Sequence, residues 1–309
     1  MMPEATGHPR KSRFFRIVAI VLAVLLAIYT GLSVLSAAAT MEIPRLPIES
    51  SPASVGLAYQ NVSFNSLTGN VLLKGWYIPG DGERVIIIVH GGFQNRVDNN
   101  VDTLDLTRDL QQNGFDILLF DLRGRGESQG HGVTLSNIDD DLGGAFDYVE
   151  SRGYSPANIG IIGFCSGAAS ACIFASQQNV GALVLDGCFA SVQNMIYGQA
   201  QERHIPSVFI DIFLPGLRLG TFIFFGYREL DPVQVVGDIK SPIFFIYEQK
   251  DDLTSLVDTG LLLKASTNSV NKFWEIPGAL HSQGYRTDPA EYVNRVTDFF
   301  NSSLIERTS

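Results

Sequence analysis

The chain has 309 residues, enough for one large domain or two modest ones, and its 45 % hydrophobic against 17 % charged residues exclude a disordered polymer. The formal net charge is −10 with no basic stripe to offset it, which excludes nucleic acid as an expected partner. The three cysteines, Cys165, Cys172 and Cys188, contain no CxxC pair, so a disulfide scaffold or a zinc site has no support.

At the N-terminus, Arg10, Lys11, Arg13 and Arg16 precede an uncharged apolar run from Ile17 to Ala39, softened only by Thr30, Gly31, Ser33 and Ser36. About 20 apolar residues cross a bilayer as a helix, so residues 17–39 read as one transmembrane helix. The basic flank keeps a tail of residues 1–16 in the cytoplasm and sends the rest outside. A cleaved signal peptide is the competing reading, with Ala37-Ala38-Ala39 as a small-residue cleavage site and a secreted product. Residues 40–55 are rich in Pro and Ser and read as a tether. Residues 56–309 then form the folded domain. Two sequon-like triplets, Asn61-Val62-Ser63 and Asn301-Ser302-Ser303, matter only in a host that glycosylates.

Past the tether, strands and helices alternate. Tyr59–Asn65 and Val71–Ile78 read as a strand pair. Val85–His90 is an apolar run of the kind a buried parallel strand needs. Val101–Asn113 has helical spacing and stops at Gly114. Phe115–Asp121 is the next buried strand, and Leu135–Arg152 is a helix with acidic residues toward its positive N-terminal end. Ile159–Phe164, Ala182–Asp186, Pro242–Tyr247 and Lys272–Ile276 are short strands, and Pro289–Leu304 is a closing amphipathic helix. This alternation predicts an α/β fold, a mostly parallel sheet covered by helices on both faces. One stretch, 190–238, is too long for a plain crossover. Its apolar segment IPSVFIDIFLPGLRLGTFIFFGY reads either as extra core helices or as a small helical cap over an apolar pocket. A cap that also touches the bilayer is a third reading.

Open α/β sheets place their sites beyond the carboxyl ends of the strands. Four such ends carry chemistry here: His90-Gly91-Gly92-Phe93, Gly163-Phe164-Cys165-Ser166-Gly167, Asp251 and Asp252 in IYEQKDD, and His281 in EIPGALH. The order is nucleophile, acid, histidine. A nucleophile at the tip of a strand-to-helix turn needs a glycine two residues before and two after. Cys165 has both and Ser166 has neither, so Cys165 holds the nucleophile position. The backbone N–H of Ser166 is then half of an oxyanion hole, and that of Gly92 or Phe93 the other half. A thiolate at a helix N-terminus beside a histidine is a strong nucleophile. The alternative is a small apolar residue left in an inactive site.

Five stretches in register, VIIIVHGG, DLRGRGES, GFCSGA, FIYEQKDD and IPGALH, resemble the α/β-hydrolase superfamily, in particular its bacterial esterase-like and serine-aminopeptidase-like branches. The resemblance covers about Tyr59 to Leu304 and implies an α/β-hydrolase fold and a Cys165–His281–Asp251 triad. It aligns Asp251 with the family's acid and leaves Asp252 as a loop charge. His281 would serve as general base and Asp251 would orient it. His90, Asp121 and Arg123 read as braces, and His131 and His204 as surface or cap residues. Two departures stand out. Cysteine replaces the family's serine, as in dienelactone hydrolases, and Tyr247-Glu248 replaces the usual His-Gly. The expected function is hydrolysis of a carboxylic ester, lactone or thioester of an acyl or aromatic substrate at the outer face of a membrane, with peptidase activity a lesser possibility. The opposing expectation is an inactive binding or scaffold protein of the same fold. No cofactor or metal is expected, since HExxH, spaced Cys/His pairs and GxxxxGK[ST] are absent.

Overall fold

The structure, a computed structural model, describes residues 9–41, 43–131, 137–225, 227 and 230–306. Parts of the predicted segments lie outside the described residues: 1–8 of the tail, Glu42 of the tether, Leu135 and Ser136 of the second predicted helix, Gly226, Arg228 and Glu229 of the cap, and 307–309 at the end of the domain.

In chain order the elements are helix α1 (Pro9–Met41), strands β1 (Gln60–Asn65), β2 (Leu72–Ile78) and β3 (Val85–Val89), helix α2 (Thr103–Gln112), strand β4 (Asp116–Phe120), and helix α3 (Ile138–Ser151). Strand β5 (Ile159–Phe164), helix α4 (Ser166–Gln177), strand β6 (Ala182–Asp186), and helices α5 (Val192–Glu202), α6 (Ser207–Phe225) and α7 (Pro232–Val235) follow. Strand β7 (Ile243–Glu248), helix α8 (Leu256–Ala265), strand β8 (Lys272–Ile276), and helices α9 (Gly284–Thr287) and α10 (Pro289–Ser303) complete the chain. The eight strands make one sheet in the order β1-β2-β4-β3-β5-β6-β7-β8. Strands β1 and β2 pair antiparallel, as do β2 and β4, and all later neighbours are parallel.

The parallel strands β3 to β7 are buried at every residue, as strands covered on both faces must be. Alternate residues feed two cores. Val85, Ile87 and Val89 point to the side packed by α3 and α4, and Ile86 and Ile88 to the side packed by α2 and α10. Glycines allow the closest approaches. A side-chain carbon at Gly160 would meet the Phe300 ring of α10 at 2.6 Å. The expected fold class is what the chain adopts.

Helix α1 is longer than the predicted span. It includes Pro9 to Arg16 and continues to Met41. The tether is fastened to the domain. The Arg45 guanidinium donates to the carbonyls of Gly126, Ser128 and Gly130, and Asn95 Nδ2 donates to Leu46 and Pro47.

A buried ion pair ties the loop after β4 to α3. Asp141 is fully buried and accepts the backbone N–H of Arg123 at 2.8 Å and its Nη2 at 2.7 Å. Removing one partner of such a pair leaves an uncompensated buried charge. The variant Asp141→Ala is therefore expected to lose about 3–5 kcal/mol of stability in urea unfolding of the detergent-solubilised chain. A loss below about 1 kcal/mol, the range of an exposed pair, would show that the pair is not a structural tie.

Candidate active site

Between β5 and α4 a single residue makes the turn. Cys165 has φ 54° and ψ −116°, a backbone conformation that few non-glycine residues hold. Its N–H donates to the Asp186 carbonyl at 3.0 Å, and its own carbonyl accepts the N–H groups of Ala168 and Ala169 at 3.1 Å. Both flanking glycines are required by space. A side-chain carbon at Gly163 would meet the Gly167 oxygen at 2.5 Å, and one at Gly167 would meet the His90 oxygen at 2.7 Å. The thiol sits half-buried at the head of α4, while the Ser166 side chain is buried beside it.

His281 lies in the loop after β8. Its Nδ1 is 2.7 Å from Asp251 Oδ2. Asp251 Oδ1 accepts the N–H groups of Leu253 and Thr254 at 2.8 Å, and the Thr254 hydroxyl donates to Oδ2, so the carboxylate has one orientation. Asp252 is exposed and has no such role. Burial pulls the His281 pKa down, but attraction to Cys165 and the hydrogen bond to Asp251 outweigh it and hold the imidazole well above its usual value. His281 Nε2 is buried and makes no hydrogen bond among the described residues. The ring rests on Gly187, whose φ is +59° and where a side-chain carbon would stand 3.0 Å from Cε1.

The loop after β3 is set from behind. Arg125 is buried and its Nε donates to the Gly92 carbonyl at 3.0 Å. In a trans peptide the following N–H points the opposite way, so this bond aims the Phe93 N–H. His90 joins the strand ends: its Nδ1 lies 2.7 Å from the Gly91 carbonyl, and its Nε2 accepts the Leu122 N–H at 3.1 Å. Burial lowers the His90 pKa to about 3, so it is neutral and is a brace. Asp121 braces too, accepting the Arg96 N–H and its guanidinium at 2.9 Å. Arg125 was legible in DLRGRGES only as part of the motif, because nothing local says which arginine turns inward.

Three buried carboxyl groups near the dyad were given no role by the sequence reading. Burial raises Asp98 to about 6, although His281 opposes the rise. Asp186 and Glu248 close β6 and β7 and are both fully buried. Burial raises both, Glu248 well above the carboxylate range. Asp186 Oδ2 accepts the Tyr292 hydroxyl at 2.8 Å. The Asp186 backbone is the group that holds Cys165 N–H, and Asp251 N–H bonds the Glu248 carbonyl at 2.9 Å. The departure Tyr247-Glu248 thus places a second buried carboxyl beside Asp186. The available signal was an acidic residue ending each of two apolar strands.

Gly92, Phe93, Cys165 and Ser166 line one cavity of about 170 Å³, closed by Met195, Gln199, Glu202 and Arg203 of the cap side and by Leu253. Helix α5 and the residue after it thus roof the cysteine. The wall is less apolar than the cap sequence suggests, because Gln199, Glu202 and Arg203 face it. His204 lines neighbouring cavities away from Cys165, and His131 stands exposed beside the residues that are not described.

Two outcomes follow. A carboxyl whose folded pKa is about 6, above the 3.8 of an ordinary aspartate, binds its proton more tightly when folded. Stability is then full below about pH 4 and falls by about 2–3 kcal/mol as the pH rises to 6. Asp98→Asn is expected to flatten that part of the stability-against-pH curve, measured by urea unfolding at pH 4, 5, 6 and 7; an unchanged slope would contradict the assignment. Gly187→Ala is expected to displace the His281 ring and slow alkylation of Cys165 by iodoacetamide, with the rate compared at one pH; an unchanged rate would show that the ring does not need the glycine.

The model of the alpha/beta hydrolase fold family matches residues 84–209. An uncharacterized Bacillus subtilis protein, YqkD, is 27 % identical over 240 residues, covering 74 % of this chain and 75 % of that protein. The Pyrococcus furiosus esterase Pf2001 superposes with a TM-score of 0.72 at 22 % identity, over 86 % of this chain and 99 % of its own. The esterase domain of a Rhodothermus marinus protein superposes at 0.57 and 16 % identity, over 80 % and 99 %. At these identities the superpositions speak for the fold. Strand order, strained turn, matching family model and superpositions agree that the chain has the α/β-hydrolase fold.

Proposed function

We propose that the chain is a membrane-anchored hydrolase that cleaves a carboxylic ester, lactone or thioester through Cys165, His281 and Asp251. The observation that carries this reading is Cys165 on its strained turn at the sheet's carboxyl end, together with an imidazole whose Nδ1 is 2.7 Å from a buried aspartate and whose buried Nε2 is left without a partner among the described residues. The esterases among the structural neighbours favour the same chemistry.

The thiolate sulfur of Cys165 attacks the substrate carbonyl carbon, and the carbonyl π electrons move to oxygen. The N–H groups of Phe93 and Ser166 bind that oxyanion. His281 Nε2 gives the former thiol proton to the leaving alkoxide or thiolate as the bond to carbon breaks. The product is an acyl thioester on Cys165 and a released alcohol or thiol. His281 then removes a proton from water, the hydroxide attacks the thioester, and the carboxylic acid leaves as Cys165 regains its electron pair. Asp251 accepts the Nδ1–H throughout and stabilises the imidazolium. Helix α1 supplies the anchor, since Arg13–Ala38 is long and apolar enough to cross a membrane.

Short p-nitrophenyl esters test the chemistry. Cys165→Ala is expected to reduce kcat/KM by at least about a thousandfold, while Ser166→Ala keeps most of it. Iodoacetamide should label Cys165 ahead of the buried Cys172 and Cys188. Absence of both turnover and selective labelling would leave a binding module of this fold. For the anchor, the mature chain is expected in the membrane fraction after a salt wash; a mature N-terminus at Thr40 would instead mean a secreted product.

A further inference from the structure

Helix α6 packs lengthwise on α1. The Tyr29 hydroxyl donates to the Ile212 carbonyl at 3.0 Å, and its ring stacks on Phe213 at 5.8 Å. One turn further along both helices, Ser33 lies against Gly216. One turn beyond that, Ala37 lies against Gly220, where a side-chain carbon would stand 3.2 Å from the Ala37 Cβ. The steps are four residues on each helix, so the two run in the same direction. Small residues spaced in this way let backbones approach closely in lipid, where burial of large side chains gives no advantage over contact with acyl chains.

Most large side chains of α6 other than Phe213, Leu214 and Leu217 are turned outward. Val208, Phe209, Ile212, Leu219, Phe222, Ile223 and Phe224 are each more than half exposed. An apolar surface of that extent is a liability in water. The two charges in α6 are engaged by α5 instead: Asp211 accepts the Tyr197 hydroxyl, and Arg218 reaches Gln193 at 3.3 Å. Pro215 stands inside the helix, a residue that lipid-embedded helices tolerate. Ser207–Phe224 is also long and apolar enough to cross a membrane.

The geometry points to α6 as a cap helix embedded in the outer leaflet beside α1, so that the Cys165 cavity takes a lipophilic acyl ester that arrives from the bilayer. This rests on α1 being a bilayer span. The contacts with α6 involve residues 29–37 of α1, the end nearest the catalytic domain, which puts α6 in the leaflet on that side. Helix α5 bridges lipid and chemistry. Its Gln193 and Tyr197 hold α6, while its Met195, Gln199 and Glu202 line the Cys165 cavity.

The test uses the full chain in phosphatidylcholine vesicles whose acyl chains are brominated. Leu25→Trp reports on α1 and Phe222→Trp on α6, against the native Trp76 and Trp274. Loss of fluorescence from both added tryptophans is expected. Loss at Leu25→Trp alone overturns the embedded cap and leaves the anchor standing; no loss at either overturns both. This arm needs no catalysis and so stands apart from the role of Cys165. In a second arm, Gly216→Leu with Gly220→Leu separates the helices. Hydrolysis of a long-chain ester held in vesicles is expected to fall about tenfold, while that of p-nitrophenyl acetate stays within about twofold. Equal effects on the two substrates would overturn delivery from the bilayer.

Discussion

The structure is organised around one unfavourable backbone conformation. Holding a non-glycine residue at φ 54° and ψ −116° costs roughly 1–3 kcal/mol, and it persists only where the surroundings over-determine it. Here β5 is the middle of the sheet, paired with β3 on one side and β6 on the other. The chain enters the turn from a rigid strand and leaves it into a helix whose first residues are small enough to sit on the ends of β3 and β5. Gly163 and Gly167 make that contact possible, and Asp186 receives the Cys165 N–H. The reward is a sulfur raised above the sheet at the positive end of α4.

The rest of the site is wired to the same strand ends. Arg125 turns the Gly92 peptide, His90 joins β3 to the loop after β4, and the backbones of Asp186 and Glu248 hold those of Cys165 and Asp251. These groups are buried, so each needs its partner. Asp186 and Glu248 are two carboxyl groups raised by burial, and Asp186 lies near enough to the imidazole of His281 to feel its charge. The same low-dielectric surroundings strengthen the link between Cys165, His281 and Asp251.

Above the sheet the packing changes character. The domain below α5 is held by large apolar side chains from two helical layers, whereas α6 meets α1 through serine, alanine and glycine beside one stacked pair, Tyr29 and Phe213, and turns Phe209, Phe222 and Phe224 outward. Two modes of packing in one chain accord with the proposal that α6 lies in lipid. Large buried side chains are favoured where water is the alternative, and close backbone contact is favoured where lipid is.

The alternation of buried strands with amphipathic helices was legible in the sequence, because period-two and period-3.6 apolar patterns follow from strand and helix geometry alone. So was the position of Cys165, since only a turn of this kind requires glycine on both sides at that spacing. Helix α8 was not: its Leu256, Val257 and Leu261 face outward, so no single apolar stripe marks it. Nor was the pairing of Asp186 with Glu248, or of Gly216 and Gly220 with Ser33 and Ala37. Each joins residues far apart in the chain, and only the folded sheet and the lengthwise packing of α6 on α1 bring them together. Local pattern determines which elements form and where a strained turn can be made. Which buried charge meets which neighbour, and which helix leaves an apolar face uncovered, is decided by tertiary packing, because desolvation and close contact act on neighbours in space.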